Sequence, residues 1–335
     1  YGFAALIHHQ LDDDRVQRIY EDWRAFFDSG AASAYVMDPA GQDGYFSLEQ
    51  AESARGFNQR DYKEYFQYYS WGRCPDFLRS DLSAHFEASV ALGARLLCCI
   101  AEQFPTKITA QLKEPLCAMI EQSGQSMLRV LHYPAFPAGD PPLRAAPHED
   151  INLLTLLPSA DGPGLELQLR SGEWISVPNR AGQLIVNVGD MLQEATAGYL
   201  PSTTHRVAVS DPSQPSLSRM ALPMFLHPRP EVVLSARYTA GEYLSQRLDE
   251  LRLALDGFGQ AGGGTAAAMV LLATPVSAQL GSRRGSAVGV NLAVGALIGI
   301  GFYLGSQILF ALGTLLGLPP LLVALLPALA ITACA

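Results

Sequence analysis

Cysteine, charge toward the C-terminal end and a recognisable start are what this chain of 335 residues has little of. Its five cysteines, Cys74, Cys98, Cys99, Cys117 and Cys334, include no C-x-x-C pair. Such spacing suggests neither a structural zinc site nor a disulfide framework, and the expectation is free thiols in a reducing compartment. From Ala261 to Ala335 the only charged side chains are Arg283 and Arg284. Setting these two aside leaves 21 Lys and Arg against 32 Asp and Glu, a net charge of −11 on the first 260 residues. An acidic surface argues against phosphate contacts, so nucleic acid is not an expected partner. No secretory signal opens the chain. Tyr1-Gly2-Phe3 starts inside an apolar run with no initiator Met, and the expectation is that the true beginning lies upstream.

What is present changes in texture along the chain. Residues Tyr1 to Leu11 read as a short strand, and Asp12-Asp13-Asp14 supplies acidic caps for a helix whose apolar face is Val16, Ile19, Tyr20, Trp23, Phe26 and Phe27. Ser29 to Cys74 reads as loop-rich, with an aromatic cluster from Tyr62 to Trp71 that is either a small core or a pocket wall. Asp81 to Phe104 has helical periodicity and is stopped by Pro105, and a second helix is expected within Ile108 to Gln122, divided or kinked at Pro115. From Met127 onward short strands follow one another: Leu128 to Tyr133, Asn152 to Leu157, Gly164 to Leu169, Glu173 to Val177, Gln183 to Val188, Thr204 to Val209 and Arg219 to Leu226. Even spacing with turn signals between them predicts an antiparallel barrel or jelly roll, closed by a helix over Tyr238 to Leu255.

The residues with chemistry to offer are His148-Glu149-Asp150 and His205. Placed on a strand, positions 148 and 150 point to one face while Glu149 turns away. His205, from a later strand, would complete a set of two imidazoles and one carboxylate, the donors that hold Fe(II) on one face and leave other positions open. H-x-D alone is a weak signal, and the plain alternative has Asp150 capping a turn and His205 filling a core.

The company the motif keeps is more specific. His148-Glu149-Asp150-Ile151-Asn152-Leu153-Leu154-Thr155-Leu156-Leu157, then Gly164-Leu165-Glu166-Leu167, Gly172-Glu173-Trp174, Val186-Asn187-Val188-Gly189-Asp190, Ser202-Thr203-Thr204-His205-Arg206-Val207 and Arg219 to Pro228 resemble the isopenicillin N synthase-like non-haem Fe(II)/2-oxoglutarate-dependent dioxygenases. The resemblance covers about residues 1–255 and implies a mainly β fold with flanking helices, a double-stranded β-helix. It implies an N-terminal strand and helical region at 1–126 and a catalytic core with its closing helix at 127–257. Carried over, the iron ligands and catalytic residues are His148, Asp150 and His205, and Arg219 and Tyr133 bind the distal carboxylate of 2-oxoglutarate. Arginine suits that task because a planar guanidinium grips a carboxylate through parallel hydrogen bonds. The reaction implied is oxidation of a small organic substrate by dioxygen, by hydroxylation, desaturation or cyclisation, with release of succinate and CO2. Two positions depart from the pattern: Ala221 stands where a serine is usual, and Leu131 where an asparagine is often found. Both keep open a 2-oxoglutarate-independent iron oxidase. Phe225 and the aromatics between Tyr62 and Tyr69 are candidate pocket residues, and a cytoplasmic location is expected for this part.

The remainder is different material. A glycine-rich linker, 258–265, leads to three apolar segments within 266–335, of which Val288 to Leu316 is long enough to span a bilayer. Ser282-Arg283-Arg284-Gly285, Gly295 to Leu304 and Gly317-Leu318-Pro319-Pro320-Leu321 resemble the last membrane spans of the lipopolysaccharide-export permease family. That likeness implies α-helical membrane-type spans and inner-membrane association. It also leaves open a membrane protein fragment with a non-catalytic barrel, or a join of two unrelated sequences, which is the expectation.

Overall fold

The structure, a computed structural model, describes residues 2–39, 41–50, 61–136, 143–209 and 216–259. The chain divides into two compact units, Tyr1–Leu251 and Arg252–Ala335, and both sheets belong to the first. The apolar segments expected at 266–335 lie outside the described residues.

The elements follow from local chemistry in chain order. Strand β1 is Phe3–Ile7 and helix α1 is Asp13–Asp28. Asp12 caps α1, its carboxylate accepting the Arg15 N–H at 3.0 Å, and Asp13 and Asp14 sit at the positive end of the helix dipole. Strands β2 (Gly44–Phe46) and β3 (Glu64–Tyr68) lie where only loop and an aromatic cluster were expected. Helix α2 (Asp76–Glu102) runs between Pro75 and Pro105, and one turn of α3 (Thr106–Thr109) follows. The longer second helix does not form, because Pro115 has no N–H to give and only a 3-10 turn, Ala118–Ile120, follows it. Then come β4 (Met127–Tyr133), β5 (Ala145–His148), β6 (Leu154–Pro158), β7 (Leu165–Gln168), β8 (Trp174–Ser176), β9 (Gln183–Val188), α4 (Asp190–Ala195) and β10 (His205–Val207). The expected strand over 219–226 is divided at Leu222-Pro223 into β11 (Arg219–Ala221) and β12 (Met224–Leu226). Helix α5 (Ala240–Gly259) opens with a capping box, in which Thr239 and Glu242 bond each other's backbone N–H groups at 3.3 and 2.7 Å.

Two antiparallel sheets result. The large one has the order β1-β9-β6-β12-β4-β3-β2, with β11 also on β4, and the small one is β5-β10-β7-β8. This is a mainly β core with flanking helices, as expected for a jelly roll. Helices α1 and α2 pack together on the large sheet, burying Trp23, Tyr20, Leu82 and Leu97 against Leu128, Leu154 and Leu226. Gly93 permits that approach, since a Cβ there would stand 2.1 Å from the Leu226 Cδ1 atom. Among the described residues α2 is the one helix long and apolar enough to cross a membrane. A second, smaller cluster contains Tyr65, Leu131, Tyr133, Val207 and Ala221. Cys98 and Cys117 are disulfide-bonded, with Cα atoms 5.2 Å apart, so the expectation of free thiols fails for this pair. Spacing could not reveal it, because 19 residues separate the two and Pro115 folds the second back beside α2.

Candidate metal centre

The register of the small sheet builds the site. Residues His205 on β10 and His148 on β5 are direct antiparallel partners, and their rings lie 4.4 Å apart. Strand β5 is an edge strand containing Pro147, which cannot donate to the ladder, and the pairing with β10 shifts between His205 and Val207. Asp150 is not on the strand. It lies just past the end of β5, where the chain crosses toward β6 of the large sheet, so the strand-alternation argument does not account for its direction. Hydrogen bonds do: its Oδ2 accepts from Thr155 Oγ1 at 2.6 Å and from Asn187 Nδ2 at 2.7 Å. Thr155 and Asn187 are paired residues of β6 and β9, and Asn152 Nδ2 donates in turn to Thr155 at 2.9 Å. Glu149 turns away, as expected, and accepts the Thr204 hydroxyl.

The remaining oxygen, Oδ1, faces the two imidazoles, 4.0 Å from His148 Nε2 and 3.8 Å from His205 Nε2. Each ring's Nδ1 is beside a backbone carbonyl, Ala146 at 2.7 Å and Thr203 at 3.1 Å. A carbonyl can only accept, so each Nδ1 carries a proton and each Nε2 is the nitrogen turned toward Asp150. Burial, followed by the facing His205, depresses the His148 pKa and keeps that ring neutral. Burial would raise Asp150, but His205, His148 and the two hydrogen bonds outweigh it and hold the carboxyl ionised. Among the described residues these three are the one group of His, Cys, Asp or Glu side chains poised for a metal ion, their ligand atoms all within 4.8 Å. Two imidazoles and one carboxylate fit Fe(II).

The triad opens into a cavity lined also by Phe3, Lys63, Leu131, Tyr133, Val207, Arg219 and Phe225. Phe3 sits edge-on to the His205 ring, centroids 5.5 Å apart. Arg219 on β11 is the register partner of Tyr133 on β4, and its guanidinium carbon is 5.2 Å from the centre of the tyrosine ring. Its Nε donates to the Gly162 carbonyl at 3.0 Å, while its Nη1 is buried with no hydrogen-bond partner among the described residues. A buried guanidinium donor left unpaired is costly, and a carboxylate in the cavity would satisfy it. The structure thus brings His148, Asp150, His205, Arg219, Tyr133 and Phe225 to one cavity. The aromatics Tyr65, Phe66 and Tyr68 are instead buried core residues of β3. Thr155, Asn187 and Lys63 are site residues that sequence reasoning missed. Asn187 was visible as a polar residue inside the apolar run Val186 to Val188, and Lys63 as a lone cation among tyrosines.

Similarity to known proteins agrees with this geometry. The family model of the 2OG-Fe(II) oxygenase superfamily matches residues 124–228. The crystal structure of a Shewanella oneidensis protein assigned as an oxygenase is 44% identical, with a TM-score of 0.68, and the match covers 75% of this chain and 91% of that one. The structure of JOX2 in complex with 2OG, Fe and JA is 25% identical over 70% of each chain, with a TM-score of 0.58. Jasmonate-induced oxygenase 1 from Arabidopsis thaliana is 27% identical over 244 residues, 69% of this chain and 58% of that protein. The chain spans about half the length, 42–63%, of several such curated relatives. The chain belongs to the 2OG-Fe(II) oxygenase superfamily, whose cofactor is Fe(II) and whose co-substrate is 2-oxoglutarate.

Proposed function

We propose that this protein oxidises a small organic substrate with dioxygen, using His148, Asp150 and His205 as iron ligands and Arg219 with Tyr133 as the seat of the distal carboxylate of 2-oxoglutarate. The observation that carries the reading is the convergence of two Nε2 atoms on Asp150 Oδ1, beside a buried arginine donor that has no partner among the described residues. When bound, Fe(II) with 2-oxoglutarate and dioxygen supplies the power to oxidise an unactivated C–H bond, releasing succinate and CO2. The chain's own part is arrangement. Ala146 and Thr203 fix the imidazole tautomers through their carbonyls, and Thr155 and Asn187 leave one Asp150 oxygen for the metal. Arg219 orients the co-substrate, and the apolar wall of Phe3, Leu131, Val207 and Phe225 keeps bulk water from the reacting centre. The catalytic core in this reading is 127–257, with the N-terminal region, 1–126, completing its large sheet. The cytoplasmic setting expected from the sequence belongs to this reading, and the Cys98–Cys117 disulfide weighs against it. A membrane tether at 266–335 rests on the likeness to permease spans in the sequence alone.

Anaerobic titration of the protein with Fe(II) and then 2-oxoglutarate tests this. A weak visible charge-transfer band that needs both components is expected, absent from His148→Ala and Asp150→Ala. Arg219→Ala should need far more 2-oxoglutarate while binding iron as before. Iron binding without the band would overturn the co-substrate assignment, and failure to bind iron would overturn the reading as a whole.

A further inference from the structure

Arg219 lines two cavities, the one that holds the triad and a neighbouring one bounded by Pro158, Ser159, Gly162, Val177 and Gln183. Leu157 and Leu165 also line both, so the arginine stands in the partition between them. A long side chain with a cavity on either side has two places to put its guanidinium, and only one of them meets a ligand beside the metal. The bond from its Nε to the Gly162 carbonyl, at 3.0 Å, makes the choice. Holding Nε fixes the plane of the rigid guanidinium and with it the direction of Nη1.

Gly162 has no side chain with which to hold its own carbonyl. The turn that contains it, residues 159–164 between β6 and β7, is held instead from β11 and from α1. Asp161 Oδ1 accepts the Met220 backbone N–H at 2.6 Å, which ties the turn to the residue after Arg219. Asp161 Oδ2 accepts from Arg24 Nη2, and Arg24 Nη1 donates at 2.6 Å to the hydroxyl of Ser218, the residue before Arg219. One turn earlier on α1, the Tyr20 hydroxyl donates to the Ser159 carbonyl at 3.1 Å. The two ends of one guanidinium therefore grip the turn and the strand that the Nε bond joins. Arg24 itself lines neither cavity. Building on the proposed function, we propose that Arg24 is a positioning residue for the co-substrate: through Asp161 and Ser218 it sets the Gly162 carbonyl and keeps the Arg219 guanidinium turned to the metal cavity. Without Arg24 the guanidinium can turn into the neighbouring cavity, where it meets no co-substrate. The Arg24 and Asp161 side chains are 31% and 18% exposed, and an ion pair so placed contributes little to folding. Its effect on co-substrate binding is thus separable from stability.

The test is anaerobic titration of the Fe(II)-loaded protein with 2-oxoglutarate, read by the visible band. Arg24→Met and Asp161→Asn, the second of which keeps an acceptor for the Met220 N–H, are each expected to raise the half-saturating 2-oxoglutarate concentration about tenfold. The midpoint of the Fe(II) titration and the thermal midpoint of the metal-free protein should stay as in the parent. The double variant should be no worse than either single one, because both act through one contact, and Arg24→Lys should recover part of the loss. Arg18→Met, which removes another ion pair of α1, to Asp81 at 2.9 Å, should leave 2-oxoglutarate binding unchanged. An unchanged 2-oxoglutarate midpoint in Arg24→Met or Asp161→Asn, or additive losses in the double variant, would overturn the positioning role. So would an equal shift in Arg18→Met, or a loss that follows the Fe(II) or thermal midpoint across the variants. In each of those cases the band in the parent leaves the iron and 2-oxoglutarate reading standing. Absence of the band from the unmodified protein would overturn that reading, and the role of Arg24 with it.

Discussion

Asp150 is buried, yet each side chain that faces its carboxylate favours the ionised form. Thr155 and Asn187 give it charge-assisted hydrogen bonds, which are shorter and stronger than neutral ones. Replacing either by an isosteric apolar residue should free the carboxylate to rotate without disturbing the core. Asn187→Leu is expected to weaken iron affinity ten- to a hundredfold, read as the midpoint of the anaerobic Fe(II) titration, with the thermal midpoint of the iron-free protein little changed. Ala221 is the opposite case, a place where a hydroxyl is missing. It lies two residues beyond Arg219 on β11 and lines the same cavity, so Ala221→Ser can add one hydrogen bond to the co-substrate. A bond worth about 1 kcal/mol tightens 2-oxoglutarate binding roughly fivefold; an unchanged dissociation constant would mean that residue 221 does not face the carboxylate. At this scale the sequence was informative about the residues whose chemistry is scarce. His148, Asp150, His205 and Arg219 stand out by type and order, whereas Thr155, Asn187 and Asp161 act through partners far along the chain and only the folded register reveals them.

The elements show why boundaries were harder to read than identities. Strand β5 is Ala-Ala-Pro-His, with no alternation to mark it and a proline that argues against a strand, yet it carries a site histidine because an edge position tolerates the missing donor. Strand β3 read as an aromatic cluster, since Tyr65, Phe66 and Tyr68 are all buried and the usual period of two is lost. Helix α2 was legible from its apolar period, but its buried face also includes His85, 1% exposed. Burial above all, with Arg15 and His9 adding to it, lowers the His85 pKa to about 4. The unfolded chain therefore binds a proton that the folded chain refuses between about pH 6.5 and 4, so stability is present above that window and falls as the pH drops through it. His85→Phe should flatten the pH dependence of the urea midpoint in that window, against a slope of up to about 1.4 kcal/mol per pH unit from this residue in the parent. The Cys98–Cys117 link between α2 and the segment after Pro115 gives a second check. Mass spectrometry after alkylation in denaturant should find both cysteines unlabelled before reduction and labelled after it.

For the whole molecule, the site stands at the junction of the two sheets. His148 and His205 belong to the small sheet, and Asp150 is held by Thr155 and Asn187 of the large one. Iron bound by all three would fasten one sheet to the other, and a ligand that binds only the folded state adds about 2.7 kcal/mol at a hundredfold excess over its dissociation constant. Removing the metal should therefore lower the thermal midpoint and raise hydrogen exchange in β5 and β10 far more than in β9; uniform exchange would mean that the donors are already rigid without it. The same arrangement restricts how such a protein can diversify. Prising the sheets apart at the triad would undo the metal site, so room for a bulkier substrate has to be gained at positions such as Leu131, Val207 and Phe225, where the wall is side chain rather than joint. Lineages that change substrate should accordingly vary there and keep the hinge side of the sandwich shut, like a book recased without touching its spine.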